Sequence, residues 1–308
     1  MKEKNIRVGV LLSGGLDSLL VVKLMQEQGV DISAIYFKFP FSSDLEKTLK
    51  EFAIKNKIKL KVFDYTQGEL LKEYFNVIKG GKHGRGAGYN PCIDCKIFMF
   101  KKAKEFANKN NLDFLVTGDV LDERPMSQKK KLMKLIEEES GLKGMILRPL
   151  SAKLLEETIA EKNKLVNRDA FFDIHGKRRI RQMEMAKKFN LSYPSPAGGC
   201  LLCEKELRKR FKFFFANEEL WVYFYLLSVG RHFLIENCWV ILGRNKDENK
   251  ILEKVNGGML ILPECAGPSV LVFGEFQDSL KEKIGEMISA YSKNGSLEER
   301  KFFETYKL

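Results

Sequence analysis

The sequence predicts an α/β protein: a parallel sheet with helices on both faces, followed by a smaller C-terminal α/β domain. Up to residue 119, short apolar runs rich in β-branched residues alternate with amphipathic helical segments, as in a parallel sheet built from strand–helix–strand units. This alternation ends before residues 193–206, which contain two prolines and two glycines and are typical of a linker. We therefore predict one domain over residues 1–205 and a second over residues 206–308.

The elements of the first domain follow from their periodicity. Apart from Arg7, residues 6–12 form a continuous apolar run, as expected for a strand buried on both faces. Beyond residue 119 the pattern becomes helical and basic, and the apolar runs after residue 220 favour short strands. The predicted strands of the first domain are 6–12, 31–39, 58–65 and 112–119, and its predicted helices are 19–29, 43–57, 95–111, 127–140, 151–163 and 176–190.

Composition limits the classes of function. The 308 residues are 44% hydrophobic, which argues against global disorder, and they carry a formal net charge of +12. Such a charge favours a polyanionic partner, nucleic acid first, although a merely basic soluble protein is the alternative. No apolar run reaches the roughly 18 residues that span a bilayer, and the N-terminus lacks a secretory signal. We therefore expect a cytoplasmic protein without a membrane partner, whose six cysteines are not structural disulfides.

The segment SGGLDS joins the first predicted strand to the first helix. Its glycines allow backbone N–H groups to approach a phosphate closely, and the helix N-terminus adds partial positive charge. Asp17 can hold Mg²⁺ bound to such phosphates. The alternative is a helix cap with a tight turn. The residues predicted to bind the nucleotide here are Ser13, Gly14, Gly15, Leu16, Asp17 and Ser18.

A second part of the same site is expected where the strand 112–119 ends. Because ligands bind at the carboxyl ends of parallel strands, Gly118 and Asp119 are predicted to line the nucleotide or base site. The alternative for Asp119 is a helix N-cap. Arg148 is a candidate contact for a phosphate of ATP or RNA.

Four of the cysteines form two C-x-x-C pairs, Cys92 with Cys95 and Cys200 with Cys203. Such pairs bind zinc, ligate an iron–sulfur cluster or act as reactive thiols. The two pairs lie too far apart in sequence for a zinc knuckle, so that any shared metal depends on the tertiary fold.

Several motifs resemble those of known enzymes. SGGLDS matches the pyrophosphate loop of the N-type ATP pyrophosphatases, the PP-loop family. The segments NPCIDCK (90–96), TGDVLDERPMSQ (117–128), LRPLSAKLLEET (147–158) and YPSPAGGCLLC (193–203) resemble those of tRNA sulfurtransferases and thiouridine synthases. The resemblance covers residues 6–205. It implies an adenine nucleotide alpha hydrolase-like fold and ATP-dependent tRNA thiolation, in which a uridine oxygen is adenylated and replaced by sulfur.

The resemblance also implies roles for the cysteines. In one branch of the family a cysteine persulfide attacks the activated base and a second cysteine resolves it. In the other, three cysteines hold a [4Fe-4S] cluster whose open iron binds sulfide, and Cys92, Cys95 and Cys200 fit this arrangement best. Cys203 is then a fourth ligand, a sulfur carrier or a bystander. The implied catalytic residues are Asp17, Cys92, Cys95 and Cys200, with ATP, Mg²⁺ and the cluster as cofactors and sulfide or a persulfide carrier as sulfur donor.

Two regions are candidates for binding tRNA. Lys177, Arg178, Arg179 and Arg181 form a basic cluster suited to RNA phosphates, although a solvated helix face is the alternative. The segments VGRHF and WVILGRNKDENKIL resemble the RNA-binding region of NFACT-type proteins, which implies that Arg231, Arg244 and Asn245 face tRNA. The alternative is a capping or dimerisation domain, since a homodimer is compatible with the sequence.

Two other functions remain open from the sequence. One is a different AMP-forming, PP-loop tRNA-modifying ligase, which would need no cysteines. The other is a non-catalytic, zinc-stabilised tRNA-binding protein, against which the intact SGGLDS segment argues.

Overall fold

The N-terminal strands form a parallel sheet, as the sequence predicts. The computed structural model describes residues 5–194, 199–264 and 266–308. The chain divides into two compact units, residues 1–204 and 205–308. Within the described part of the first unit, five parallel strands pair in the order β3-β2-β1-β4-β5. These strands are β1 (Arg7–Leu11), β2 (Asp31–Lys38), β3 (Lys59–Asp64), β4 (Phe114–Thr117) and β5 (Ile146–Leu147).

The order in which strands are added to the sheet changes direction at its centre, at β1. Strand β1 pairs with β2 on one side and with β4 on the other. The loops that follow β1 and β4 therefore diverge and leave a crevice at the carboxyl ends of these strands. Both segments predicted to bind the nucleotide lie at this position.

Helices cover both faces of the sheet. Those of the first unit are α1 (Leu16–Glu27), α2 (Glu46–Lys55), α3 (Gly68–Gly80), α4 (Cys92–Lys109), α5 (Lys130–Ser140), α6 (Ile159–Lys162) and α7 (Ile180–Lys188). Helix α1 shares a buried cluster with Val8 and Val10 of β1. On the opposite face, aromatic rings connect the sheet to α4, with Tyr65 lying 6.3 Å from Phe37 and 5.2 Å from Phe98 between ring centroids.

Some elements differ from the prediction. Helix α3 and the two-residue strand β5 were not predicted, and the predicted helix 151–163 is replaced by a 3₁₀ turn, Ala152–Leu154, and the short α6. A capping box between Thr158 and Glu161 starts α6 and separates it from the turn. Helix α4 begins at Cys92, three residues before the predicted start, so that both cysteines of NPCIDCK lie in its first turn.

The second unit is built on an antiparallel sheet. Among its described residues, β6 (Arg231–Ile235), β7 (Cys238–Leu242), β8 (Met259–Ile261) and β9 (Val270–Phe273) pair in the order β6-β7-β9-β8. Val240 and Val272 pack against Leu280 and Ile284 in its core. Of the apolar run 220–234, for which strands were predicted, residues 220–228 are 3₁₀-helical and residues 231–234 lie in β6. The helices of this unit are α8 (Arg208–Ala216), α9 (Lys246–Leu252), α10 (Asp278–Tyr291) and α11 (Leu297–Glu304).

Two further observations complete the fold. No helix in the described parts of the chain is both long enough and apolar enough to pass through a bilayer. Cys265 and residues 195–198, which include most of the PAGG sequence before Cys200, lie outside the described residues.

Candidate active site

The SGGLDS segment forms a tight loop between β1 and α1. Gly14 has a φ of +82°, in the left-handed region that favours glycine. The Ser18 hydroxyl donates to the Gly15 carbonyl at 2.8 Å, and the Ser13 and Ser18 oxygens are 3.2 Å apart. Gly15 precedes the first residue of α1 and has no side chain to cap the helix, so that the first N–H groups of α1 face the loop, as in an anion site.

Gly118 lies directly against this loop. A Cβ atom at Gly118 would be 2.6 Å from the Asp17 carbonyl carbon and 2.7 Å from the Ser18 nitrogen. The end of β4 can therefore approach the first turn of α1 only because residue 118 has no side chain. This close approach brings Asp119, the next residue, to the same crevice.

Two carboxylates lie together at the loop. Burial, and then the neighbouring Glu123 carboxylate, raise the pKa of Asp17 to about 6. Arg179 lies between them: its Nη2 is 4.0 Å from Asp17 Oδ2, and its Nε donates to Glu123 Oε1 at 2.9 Å. Within residues 5–194, 199–264 and 266–308, Asp17 Oδ1 and Glu123 Oε2 are buried and have no hydrogen-bond partner. Oxygen atoms of this kind are the ligands that Mg²⁺ prefers, so these residues fit the ion.

Asp119 belongs to a buried charge network. Its Oδ1 accepts hydrogen bonds from Lys96 Nζ and, at 3.1 Å, from Gln128 Nε2, and Arg148 Nε is 3.8 Å from Oδ2. Burial opposes ionisation, but Lys96 and Arg148 outweigh it and hold the pKa of Asp119 at about 2. Arg148 also pairs with Glu137. The next α-helix begins only at Lys130, so the interpretation of Asp119 as a helix N-cap is wrong.

The four cysteines of the two C-x-x-C pairs meet in the first unit. The Cys203 thiol hydrogen-bonds to Cys92, and Asn90 Nδ2 donates to Cys92 Sγ at 3.0 Å. These two bonds outweigh burial and lower the pKa of Cys92 to about 6, while the same contact raises that of Cys203. Cys92 is therefore the thiolate of this pair near neutral pH.

The other two cysteines are, like Cys92, partly buried. Burial raises the pKa of Cys95 and of Cys200 to about 12 in each case. The hydroxyl of the buried Tyr74 is 3.7 Å from Cys95 Sγ. In the described residues, no three His, Cys, Asp or Glu side chains are arranged to hold a single metal ion.

Backbone contacts hold residues 200–203 beside NPCIDCK. Tyr89 N donates to Leu202 O at 2.7 Å, and Leu201 N donates to Phe41 O at 2.9 Å. A Cβ atom at Gly88 would be 2.3 Å from Leu202 O. The glycine-rich segment before NPCIDCK thus lets the second C-x-x-C pair approach the first.

The nucleotide loop and the cysteines are joined by direct contacts. Lys96, which follows Cys95, pairs with Asp119, and Gly118 touches Asp17. The charge of Arg124 lowers the pKa of Asp17 and of Cys92, so this side chain lies near both the loop and the cysteines. Sequence reasoning did not identify Lys96, Glu123, Arg124 or Gln182 at this site; Glu123 and Arg124 lie in the TGDVLDERPMSQ motif, which was the available signal.

The basic cluster predicted to bind RNA is divided. Arg179 turns to the loop and pairs with Glu123, whereas Arg181 pairs with Asp173 at 2.6 Å on the surface. Lys177 and Arg178 are exposed. The structure therefore leaves three of the four side chains at the surface.

The predicted RNA contacts of the second unit have partners of their own. Arg244 Nε donates to Glu248 at 2.8 Å, and the Asn245 side chain caps α9. Arg231 lies over the Tyr291 ring at 5.1 Å from its centroid. Cys238 is a buried residue of the core.

Comparisons with known proteins match both units. A family model described as the thiamine biosynthesis protein ThiI matches residues 4–169, and one described as the NFACT protein RNA binding domain matches residues 230–303.

Curated relatives match part of the chain. The tRNA-specific 2-thiouridylase MnmA 1 of Fusobacterium nucleatum is 34% identical over 124 residues, covering 37% of this chain and 31% of the relative. A "probable tRNA sulfurtransferase" of Finegoldia magna is 32% identical over 153 residues, covering 49% and 37%. The chain thus spans about a third of the length of these relatives.

A solved structure is also similar. The crystal structure of a 4-thiouridine synthetase–RNA complex with bound ATP superposes with a TM-score of 0.40 at 16% identity, over 71% of this chain and 53% of that one.

Proposed function

The chain belongs to the ThiI family, and from this premise we propose that it is an ATP-dependent tRNA sulfurtransferase that converts a uridine to a thiouridine. One observation carries the proposal. Lys96, the neighbour of Cys95, pairs with Asp119, and Gly118, the neighbour of Asp119, lies against Asp17. A thiol cluster and a phosphate loop are thereby joined. A reaction that uses ATP and sulfur together needs both at one place.

The proposed reaction has two steps. The uridine carbonyl oxygen attacks the α-phosphorus of ATP, and pyrophosphate leaves. A sulfur nucleophile then attacks the same ring carbon and AMP leaves, so that the oxygen departs with the phosphate. Adenylation is required because a carbonyl oxygen is otherwise a poor leaving group.

Residues of the loop bind the nucleotide in this proposal. The N–H groups at the start of α1, with the hydroxyls of Ser13 and Ser18, hold the β- and γ-phosphates. Asp17 and Glu123 would hold Mg²⁺, which neutralises phosphate charge when bound. Asp119, kept ionised by Lys96 and Arg148, orients Lys96 between the nucleotide and the cysteines.

The sulfur site is proposed to hold a [4Fe-4S] cluster on Cys92, Cys95 and Cys200. The donor set fits, because these side chains are thiols and a cluster of this type takes thiolate ligands. When bound, such a cluster with one open iron supplies a place for sulfide. The partly buried Cys95 and Cys200 thiols, whose pKa values are raised, would lose their protons on ligation.

The contact between Cys92 and Cys203 favours a second route for sulfur. Here Cys92 receives a sulfur atom from a persulfide donor, and its terminal sulfur attacks the adenylated carbon. The Cys203 thiolate then attacks the Cys92 sulfur that bridges to the base, which releases thiouridine and leaves a Cys92–Cys203 disulfide. A dithiol reductant restores both thiols.

Anaerobic purification and turnover assays test the proposal. We expect release of AMP and pyrophosphate with tRNA, and thiouridine detected by nucleoside mass spectrometry. Asp17→Asn should abolish the formation of AMP, pyrophosphate and thiouridine. Cys92→Ala should abolish thiouridine, whereas Cys238→Ala is the matched cysteine control. If the Cys92→Ala variant still modifies tRNA with release of AMP, the result points instead to another AMP-forming ligase. Asp17-independent RNA binding without AMP release would point to a non-catalytic protein.

The Cys203→Ser variant separates the two sulfur routes. With a three-cysteine cluster, this variant should retain bound iron and turn over repeatedly with sulfide. With a persulfide, it should complete at most one turnover and trap tRNA on Cys92. An iron-free protein active with a persulfide donor would exclude the cluster.

The second unit is proposed to bind tRNA. The NFACT match at residues 230–303 and the net charge of +12 support this assignment. Lys177, Arg178 and Arg181 are proposed to contact the same RNA from the first unit. Substituting these three by Gln should weaken tRNA binding at low salt and reduce its salt dependence, measured by filter binding.

A further inference from the structure

Gln182, in the first turn of α7, is a buried side chain whose amide is unsatisfied within the described part of the chain. Its exposed fraction is 0%, and among the described residues neither its amide nitrogen nor its amide oxygen has a partner in hydrogen-bond geometry. Buried amides in folded proteins are nearly always paired, because an unpaired one loses its bonds to water for no gain. An apolar residue would suit a purely structural position better.

Packing of α7 on α1 determines where this amide lies. Ala186 shares a buried cluster with Leu16 and Leu20 of α1. One turn earlier on α7, Gln182 reaches the carboxylate of Asp17 and lowers its pKa, although the two groups fall short of hydrogen-bond geometry. Asp17 Oδ1 likewise has no hydrogen-bond partner in the part of the chain that the structure describes, so a small rotation of either side chain would join them.

Arg179, which precedes the first residue of α7, lies on the other side of Asp17. Its guanidinium pairs with Glu123 and is 4.0 Å from Asp17. The side chain is 25% exposed and is therefore able to turn toward a ligand in the loop. A guanidinium matches phosphate oxygens as well as it matches a carboxylate.

We propose that the start of α7 completes the nucleotide site. Gln182 is a positioning residue that orients the Asp17 carboxylate, and Arg179 exchanges Glu123 for phosphate oxygens when ATP binds. This exchange releases the Glu123 carboxylate, which can then hold Mg²⁺ together with Asp17. The inference rests on the proposed ATP site, but it extends that site to residues 179–182, outside the region 4–169 that the family model matches.

Calorimetric titration of the full chain with the Mg²⁺ complex of the α,β-methylene analogue of ATP tests this inference without turnover. We expect Gln182→Met to bind the analogue about tenfold more weakly, the loss typical of one hydrogen bond to a charged group. Its melting temperature should not fall, because the substitution removes an unpaired amide and keeps the volume. Arg179→Gln should also bind at least tenfold more weakly, whereas Lys187→Gln, which removes one charge from the exposed end of α7, should bind like the wild type.

The outcomes distinguish this inference from the proposed function. A wild-type chain that does not bind the analogue contradicts the ATP site itself. Wild-type binding with unchanged affinity in both Gln182→Met and Arg179→Gln refutes the role of α7 and leaves the ATP site standing. If Gln182→Met melts lower and binds normally, Gln182 has only a structural role and the positioning role is wrong. An equal loss in Lys187→Gln would mean that net charge, not Arg179, attracts the nucleotide.

Discussion

Substituting Gly88 by alanine should separate the two C-x-x-C pairs. The new Cβ atom would lie 2.3 Å from Leu202 O, 2.7 Å from the carbonyl carbon of Cys203 and 2.9 Å from its oxygen. All three are backbone atoms, which cannot turn aside as the end of a side chain can. Residues 202–203 must therefore move away from the glycine-rich segment.

The size of this movement follows from the distances. Ordinary contact at a Cβ atom begins at 3.4 Å, so relief requires a shift of about 1 Å. The hydrogen bond from Tyr89 N to Leu202 O, now 2.7 Å, would exceed 3.5 Å and break. Losing this bond costs about 1 kcal/mol, and residual overpacking adds about 1–3 kcal/mol. The same shift would move Cys203 away from Cys92.

Two assays follow from this reasoning. Thermal unfolding should show Gly88→Ala destabilised by about 2 kcal/mol or more, and diamide should form the Cys92–Cys203 disulfide more slowly, as measured by mass spectrometry of unreduced peptides. Gly80→Ala is the matched control, because its Cβ atom would meet no described heavy atom within 4 Å. A Gly88→Ala variant that melts and crosslinks like the wild type would refute the close approach of the two segments.

Three further predictions concern other parts of the chain. Gly118→Ala should weaken nucleotide binding at least tenfold, since the new Cβ atom meets the Asp17–Ser18 backbone; unchanged calorimetric affinity would contradict this. Lys96→Met should lower the unfolding free energy by about 3 kcal/mol by leaving Asp119 buried without its lysine, whereas loss of less than 1 kcal/mol in urea would count against the network. His232 is buried and neutral, because Trp239 Nε1 donates to its Nδ1, and burial lowers its pKa well below 6.5. Below pH 6.5 only the unfolded state takes up the proton. The free energy of unfolding is therefore highest above this pH and should fall by up to about 1.4 kcal/mol per pH unit as the pH decreases. Tryptophan fluorescence reports this, as both tryptophans lie in the second unit, and His232→Gln should flatten the slope.

The fold of the first unit could be predicted well from the sequence, for a physical reason. Strands buried on both faces must be apolar throughout, and the helices that cover them must show a 3.6-residue period, so β1, β2, β4 and α1 are visible in the residue pattern. The two-residue β5 is too short to have a pattern. Residues 220–228 are apolar enough for a strand but fold as a 3₁₀ segment, because an apolar run alone does not distinguish a strand from a 3₁₀ helix.

The site could be predicted only in part. SGGLDS and NPCIDCK are local motifs whose chemistry is contained in a few adjacent residues, and the sequence alone identified them as a phosphate loop and a thiol pair. Arg179 was predicted from its basic neighbours to face RNA, but packing of Ala186 on α1 places this end of α7 at the loop. No periodicity encodes a contact of that kind.

What the sequence by itself determined was the type of each chemical group: a glycine-rich loop, two pairs of thiols and an excess of basic side chains. The tertiary structure decided which of these groups lie together. It paired Cys92 with Cys203 rather than leaving Cys203 apart, and it placed Glu123 and Gln182 beside Asp17. The reason is that the contacts that set these pKa values include residues distant along the chain, Glu123 beside Asp17 and Cys203 beside Cys92, which only folding brings together.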